Sequence, residues 1–266
     1  MKIIEQSHKI MEAINGKVIL NKIEAAGRTC YKSEDRIGLI DCPKCKCVPP
    51  GFDKSNCKWS KWHHAQPFND TPQVNSSLKF ADTLLHQYQH ESVIEHDNIT
   101  VKFITDRGIS HELVRHRICS FSQESSRYCN YSKDKFGNEI SIIRPVWITN
   151  AQIAAVRKED ENSTSSYPFP EDYDPKVWIW LECMKRIECD YFDLIAQGWK
   201  PEEARSVLPN SLKTEIVMTA NIREWRHVFK TRCSKKAHPQ IRELMRPLLK
   251  DFQDRIPVLF DDLKGE

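Results

Sequence analysis

The sequence predicts an α+β fold, because helical and strand patterns are mixed along the chain without the regular alternation of a βαβ protein. Apolar residues recur at helical spacing from Leu78 to Tyr88, and residues 99–103 then alternate between apolar and polar, as in a half-buried strand. No internal repeat is visible. With 266 residues, of which 39% are hydrophobic, the chain is long enough to form a sizeable core.

The middle of the chain combines a short helical pattern, two loops and one long helix. Residues 110–117 have helical spacing, and residues 119–132 have neither a helical nor a strand period, which predicts a loop. Residues 158–175 collect acidic and hydroxyl side chains with three prolines, which predicts a mobile surface loop. Pro175 then opens a long helix that is expected to end just before Gly198.

The C-terminal part of the chain predicts one strand and three helix starts. Pro201 and Pro239 each stand at the beginning of a helical pattern, and residues 213–219 are β-prone. Asn221 followed by Glu224 suits a capped helix start, in which the Asn side chain accepts an early N–H. The basic run that follows has the spacing of a solvated helix face: Arg223, Arg226, His227 and Lys230.

Charge and composition exclude several classes of protein. Lys and Arg total 40 against 37 Asp and Glu, and the resulting net charge of +3 does not suggest a protein that binds a phosphate backbone. No uninterrupted apolar stretch approaches the roughly 20 residues that span a bilayer, so a soluble cytoplasmic protein without membrane partners is expected. There is no glycine-rich dinucleotide or Walker loop.

The ten cysteines are unevenly distributed, which argues against a secreted disulfide framework. Four of them lie in one segment beside a pair of histidines, and this arrangement resembles a zinc ligand set with irregular spacing: Cys42, Cys45, Cys47 and Cys57, with His63 and His64. A structural zinc site and reduced surface cysteines are equally compatible with the pattern. Cys119 and Cys129 are interpreted as small semi-buried residues and not as nucleophiles.

Residues 115–128, with the sequence RHRICSFSQESSRY, form the stretch that is richest in chemistry. Three guanidinium groups, an imidazole, four serine hydroxyls and an amide suit a phosphate and the polar edges of a base. The alternative is a basic helix end, favoured by the helix dipole, that is followed by a serine-rich surface loop. Spacing alone does not separate these two interpretations.

The order of these residues, R-H-R and then S-x-R-Y after a serine-rich stretch, resembles the signature of the flavin-dependent thymidylate synthases. Further similar motifs are Gly27 to Tyr31, His90 to His96, Ala204 to Pro209, Asn221 with Arg223, and Arg232. The resemblance implies one domain over residues 1–266, with a central antiparallel sheet flanked by helices. It omits residues 39–75, which are expected to form a Cys-rich insertion near the N-terminus.

The resemblance also implies the site residues. FAD is expected to contact Ser92, Arg115, His116, Arg117, Gln123, Asn221 and His227. The nucleotide dUMP is expected to contact Glu112, Arg115, Gln123, Glu124, Ser125, Ser126, Arg127, Arg205 and Arg232. Among these, Ser125 and Arg127 lie on the phosphate side, Arg205 reaches in from a neighbouring subunit, and Arg232 is the catalytic cation against the uracil ring. The chain departs from the family pattern at Ser122, Gln123, His227, Lys236 and Gln240, where one donor or acceptor replaces another.

The activity that the resemblance implies is FAD-dependent methylation of dUMP to dTMP. Methylenetetrahydrofolate supplies the carbon, NADPH supplies the reducing equivalents, and a homotetramer carries active sites between its subunits. Two alternatives are a nucleic-acid-binding module that contains a zinc-ribbon-like insertion, and a nucleotide-modifying enzyme that works without flavin. The near-neutral charge and the absence of a known binding motif argue against a nucleic-acid partner.

The cysteine segment generates a first prediction. If Cys42, Cys45, Cys47 and Cys57 hold a structural zinc, elemental analysis of the purified protein will find about one zinc per chain. The double variant C42S/C45S will lose that zinc, whereas Cys30→Ser will keep it. Wild-type protein that is free of metal and folds normally would contradict the zinc site.

Overall fold

The computed structural model describes residues 1–41, 73–161 and 171–265. By their contacts, the residues divide into two compact units. Unit 1 comprises Met1–Ile10, Thr100–Thr219 and His238–Leu244. Unit 2 comprises Met11–Ile99, Ala220–Ala237 and Met245–Glu266. Helices and strands are mixed in the chain, as the α+β prediction requires.

The regular elements have the following bounds. The strands are β1 (Lys2–Ile4), β2 (Ser7–Ile10), β3 (Leu39–Asp41), β4 (Gln73–Asn75), β5 (Asn98–Asp106), β6 (Ser120–Gln123), β7 (Ser141–Ile143) and β8 (Lys213–Asn221). The helices are α1 (Gly16–Tyr31), α2 (Ser76–Asp82), α3 (Arg107–Leu113), α4 (Asn150–Glu161), α5 (Pro175–Ala196), α6 (Pro201–Ala204), α7 (Ile222–Arg232), α8 (Pro239–Arg255) and α9 (Pro257–Phe260). A π-helical turn covers Thr83–Gln87, and 3-10 turns cover Glu34–Arg36, Glu91–His96, Asp134–Phe136 and Arg205–Val207.

The main sheet has four strands in the order β2-β5-β8-β6. Strand β2 pairs antiparallel with β5, with Ser7 opposite Ile104, and β6 pairs antiparallel with β8, with Gln123 opposite Ile216. This four-stranded sheet is small. Strands β1 and β7 form a separate parallel pair, and β3 and β4 form a separate antiparallel pair.

The core of unit 1 includes a cluster beside helix α5. The side chain of Asp174 caps this helix by accepting from the backbone N–H of Lys176, and Gly198 follows its end with a φ of 95°. Both ends therefore lie where the sequence predicted them. On its buried face, Tyr191 packs with Tyr131 and Ile140.

The core of unit 2 is an aromatic cluster on helices α7, α8 and α9. Trp225, Phe229, Phe252 and Phe260 are fully buried, with ring centroids 5.1–5.9 Å apart in the contacting pairs. The indole N–H of Trp225 donates to the backbone oxygen of Ile99 over 2.9 Å, so its polar atom is also satisfied.

The basic run of helix α7 is a solvated face at Arg223, His227 and Lys230, which are exposed as predicted, but not at Arg226, where the structure corrects the prediction. Arg226 is only 2% exposed, and its guanidinium binds both carboxylate oxygens of Asp262, at 2.7 and 2.6 Å. A buried charge requires such a partner because it has lost its hydration. Burial would raise the pKa of Asp262, but its hydrogen bonds with Arg226 hold that pKa below its usual value.

Two further differences concern segments that were predicted as loops. Strand β6 lies within residues 119–132, which were predicted as a loop. Helix α4 continues to Glu161 and so includes the start of the predicted loop 158–175, while residues 162–170 lie outside the described ranges. Cys42, Cys45, Cys47 and Cys57 also lie outside them. At the two ends of the expected insertion, β3 and β4 pair with Leu39 opposite Asn75.

The Arg226–Asp262 pair generates a stability prediction. Asp262→Asn will lower the free energy of unfolding at pH 7 by about 2 to 3 kcal/mol, because it removes charged hydrogen-bond acceptors from a buried guanidinium. Asp254→Asn is the matched control, since Asp254 pairs with Lys250 on the surface, and it will cost much less.

Urea unfolding followed by circular dichroism measures both variants. The depressed pKa of Asp262 means that the pair stabilises the fold above the unfolded-state pKa and is lost as pH falls through the folded-state pKa. The difference between wild type and Asp262→Asn will therefore shrink in acid. Equal losses for the two variants at pH 7 would contradict the assigned role of the pair.

Candidate functional site

A short turn in unit 1, residues 124–129, follows directly from strand β6. The backbone N–H of Glu124 donates to the oxygen of Glu215 on β8 over 2.8 Å, which extends the strand pairing by one residue. The N–H groups of Tyr128 and Cys129 then donate to the oxygen of Ser125, at 3.1 and 3.0 Å. The turn is therefore closed by its own backbone and anchored at the sheet.

This turn gathers hydroxyl and guanidinium groups. Arg205 donates to the hydroxyl of Ser126 over 3.3 Å, and the backbone N–H of Arg127 donates to the hydroxyl of Ser125 over 3.4 Å. Both arginines are exposed, and the Arg127 guanidinium lies 5.2 Å from the ring centroid of Tyr128. We call Ser125, Ser126, Arg127 and Arg205 the anion cradle. Arg205 reaches it within one chain, and the predicted contribution from a neighbouring subunit stays a prediction.

The R-H-R segment follows helix α3, which ends at Leu113, four residues earlier than predicted. The N–H of His116 donates to the oxygen of Leu113 over 3.1 Å, and His116 is 6% exposed. Arg115 and Arg117 are exposed, and neither forms an ion pair with any residue in the described ranges. The segment thus directs its imidazole inwards and offers two guanidinium groups to an anion.

Gln123 lies at the end of β6, where its side-chain amide is held by buried hydroxyls. Its Nε2 donates to Ser110 Oγ over 2.9 Å and to Thr214 Oγ1 over 3.2 Å, and both hydroxyl residues are 0% exposed. The predicted contacts of Gln123 with flavin and nucleotide must therefore involve its Oε1, because both N–H donors are occupied.

Glu124 was predicted to contact the nucleotide, and its carboxylate binds groups of the protein itself. It accepts from Lys213 Nζ over 3.0 Å and from the Tyr131 hydroxyl over 3.3 Å. Burial, together with the Glu124 charge, raises the pKa of Tyr131. Burial would lower the pKa of Lys213, but hydrogen bonds with Glu215 and Glu124 raise it above its usual value. Neither Lys213 nor Tyr131 was singled out from the sequence; the partner of Lys213 lies 89 positions away along the chain.

Glu112, the remaining predicted nucleotide contact in unit 1, lines a separate cavity of about 330 Å³. Asp106, Trp147, Trp180 and His238 line it as well. Burial raises the pKa of Asp106, although the helix-capping bond from the Ile109 N–H opposes this shift.

The remaining predicted residues lie in unit 2. Asn221 caps helix α7, as predicted, by accepting from the Glu224 N–H over 2.8 Å. His227 is exposed on the same helix, and Arg232 is its last residue and is partly buried. Burial raises the pKa of Glu224, and the neighbouring His227 opposes this shift.

Ser92 is exposed in the 3-10 turn Glu91–His96. Ion pairs connect this turn to helix α7. The carboxylate of Glu91 lies 3.6 Å from Arg223, 3.8 Å from Arg226 and 3.6 Å from Lys230. Unit 2 therefore brings the Ser92 turn to the helix of Asn221 and His227, and the ion pairs of Glu91 join the two elements. The predicted flavin residues are divided between unit 1 (Arg115, His116, Arg117 and Gln123) and unit 2 (Ser92, Asn221 and His227).

Two thiols lie near the signature. Cys119 and Cys129 are half-buried, as expected, and neither forms a disulfide within the described residues; burial raises the pKa of Cys129. No helix in the described ranges has an apolar stretch long enough to span a bilayer.

Similar proteins agree with the motif resemblance. The family described as "Thymidylate synthase complementing protein" matches residues 18–258. A flavin-dependent thymidylate synthase of Mycobacteroides abscessus is 32% identical over 248 residues, covering 90% of this chain and 78% of that protein. One from Corynebacterium aurimucosum is 29% identical over 245 residues, with coverages of 90% and 78%.

Two solved structures share the fold. The UMP/dUMP methylase PolB of Streptomyces cacaoi, bound with 5-Br dUMP, has a TM-score of 0.63 at 18% identity and covers 98% of this chain and 96% of its own. Thymidylate synthase X of Helicobacter pylori, with FAD and dUMP, has a TM-score of 0.59 at 19% identity, with coverages of 97% and 99%. Together with the family match over most of the sequence, these similarities establish that the chain belongs to the flavin-dependent thymidylate synthase family.

Proposed function

We propose that this enzyme methylates dUMP to dTMP with bound FAD, takes the carbon from methylenetetrahydrofolate and the reducing equivalents from NADPH, and acts as a homotetramer. The observation that carries the proposal is the anion cradle. In this cradle one exposed arginine and two serine hydroxyls belong to a single closed turn, and a second exposed arginine, Arg205, contacts the turn from another segment. The described complex of the Helicobacter pylori protein with FAD and dUMP supports the same assignment.

The cradle suits the phosphate of the nucleotide. Guanidinium groups and hydroxyls donate to phosphate oxygens, and charge-assisted hydrogen bonds are the stronger ones. Because the turn is closed by bonds to the Ser125 oxygen, the donors are arranged before the ligand arrives. Binding the phosphate at Arg127 and Arg205 fixes one end of the substrate, so that the base is held in position for reaction.

The residues of the R-H-R segment and helix α7 fit an anionic, polar cofactor. Arg115 and Arg117 offer exposed guanidinium groups to a diphosphate, and Asn221 keeps its amide N–H groups as donors because only its Oδ1 caps the helix. FAD, when bound, supplies hydride-transfer chemistry. The protein contributes hydrogen bonds, also from Ser92 and His227, and holds the reactants in position.

Activation of the uracil is assigned to charge and not to a protein thiol. Arg232, placed against the ring, favours negative charge on the base while C5 attacks the one-carbon unit. Cys129 is a poor nucleophile, because burial raises its pKa and so disfavours the thiolate.

This mechanism predicts that Arg232→Ala loses roughly a hundred- to thousandfold in turnover, the usual cost of removing a preorganised donor to developing charge. Bound flavin, followed by visible absorbance, will be retained. Tritium release from C5-labelled dUMP, with methylenetetrahydrofolate and NADPH, measures turnover. Cys119→Ser and Cys129→Ser are the controls and will remain active. Abolition of activity by either cysteine change in folded protein, or activity of a flavin-stripped enzyme, would favour a thiol-dependent synthase.

The cradle predicts a smaller effect for Ser125. If its hydroxyl donates one hydrogen bond to the phosphate, Ser125→Ala will lose roughly ten- to thirtyfold in kcat/KM for dUMP. Ser120→Ala, an exposed serine earlier on strand β6, is the matched control and will stay near wild type. Complete loss of turnover with dUMP and flavin still bound would instead indicate a covalent role for Ser125.

A further inference from the structure

Glu124, the residue between strand β6 and the anion cradle, is held from four directions. Its carboxylate accepts from Lys213 Nζ and from the Tyr131 hydroxyl, at 3.0 and 3.3 Å. Its backbone oxygen accepts from Arg107 over 3.0 Å, and its backbone N–H donates to the oxygen of Glu215 over 2.8 Å. Four hydrogen bonds on one residue are typical of an anchor and leave little of its side chain for a ligand.

The ion pair with Lys213 is partly desolvated. The Lys213 side chain is 20% exposed and that of Glu124 is 12% exposed, and Lys213 also binds Glu215 over 2.6 Å. At such low exposure, a carboxylate that loses its cation keeps the cost of its own desolvation. The pair is therefore worth more to the local structure than an exposed surface pair.

The position of Glu124 makes this pair relevant to nucleotide binding. The next residue, Ser125, supplies the hydroxyl and the backbone oxygen around which the turn closes. A free carboxylate at Glu124 would also repel a phosphate held by the adjacent Arg127, whereas the ammonium of Lys213 offsets that charge.

We propose that Lys213 is a positioning residue for nucleotide binding, which fixes Glu124 and neutralises its charge so that the anion cradle accepts a phosphate. On this proposal Glu124 acts within the protein and does not contact substrate. The proposal rests on the proposed binding of dUMP at the cradle.

The test uses the full-length protein loaded with FAD and titrated with dUMP by calorimetry. Lys213→Met will raise the Kd for dUMP by about 10- to 100-fold, the range expected when a hydrogen bond to a charged group is lost. The kcat at saturating dUMP and the flavin content will change little. Lys102→Met is the matched control, since Lys102 pairs with Glu215 and not with Glu124, and it will leave the Kd unchanged.

A second substitution separates positioning from general destabilisation. Adding Glu124→Gln to Lys213→Met removes the uncompensated carboxylate and will recover much of the dUMP affinity, whereas additive losses would contradict the proposal. An unchanged Kd in Lys213→Met, or an equal loss in Lys102→Met, would also overturn it.

A measurement on ligand-free protein tests the positioning role of Lys213 independently of the proposed function. Amide hydrogen exchange at Tyr128 and Cys129, whose N–H groups close the turn, will be faster in Lys213→Met and slower again in the double variant. If wild-type protein fails to bind dUMP, the proposed function is wrong. If exchange at these two amides does not respond to Lys213→Met, the positioning role is wrong, whatever the ligand.

Discussion

Both units of this protein depend on one constraint: a charged side chain that folding removes from water needs a partner of opposite charge. In unit 2, the guanidinium of Arg226 lies inside the fold and requires Asp262. In unit 1, Lys213 requires Glu124 and Glu215. The Arg226–Asp262 and Lys213–Glu124 pairs each join segments that are distant along the chain, so satisfying a charge also fixes the path of the backbone. Local ion pairs therefore stabilise the fold, although the net charge of the whole chain is only +3.

The elements that the sequence predicted well carry strong local signals. Helix α5 begins at Pro175 and is followed by Gly198, and Asn221 caps helix α7, because proline, glycine and asparagine act on the backbone next to them. Strand β6 was missed because its exposed serines show no hydrophobic alternation, and its pairing with β8 depends on residues almost a hundred positions away.

The candidate site could be predicted only in part for the same reason. Motif order singled out the cradle residues Ser125 and Arg127, and Arg205 from a separate motif donates to the neighbouring Ser126 in the fold. The residues that contact the cradle region from elsewhere in the chain, such as Lys213, belong to no motif recognised in the sequence and have charges typical of any surface residue. Only their contacts distinguish them. The direct contacts of a site are thus more visible in a sequence than the residues that hold those contacts in place.

The pairing of β3 with β4 has a consequence for how the chain can vary in length at this point. Leu39 and Asn75 lie opposite each other on adjacent strands, so the chain departs and returns at neighbouring points of the backbone. When two chain ends are fixed side by side, a change in the number of residues between them costs mainly loop-closure entropy, which varies slowly with length. The paired strands are therefore a point at which residues can be added or removed while α1 and α2 keep their places in the fold.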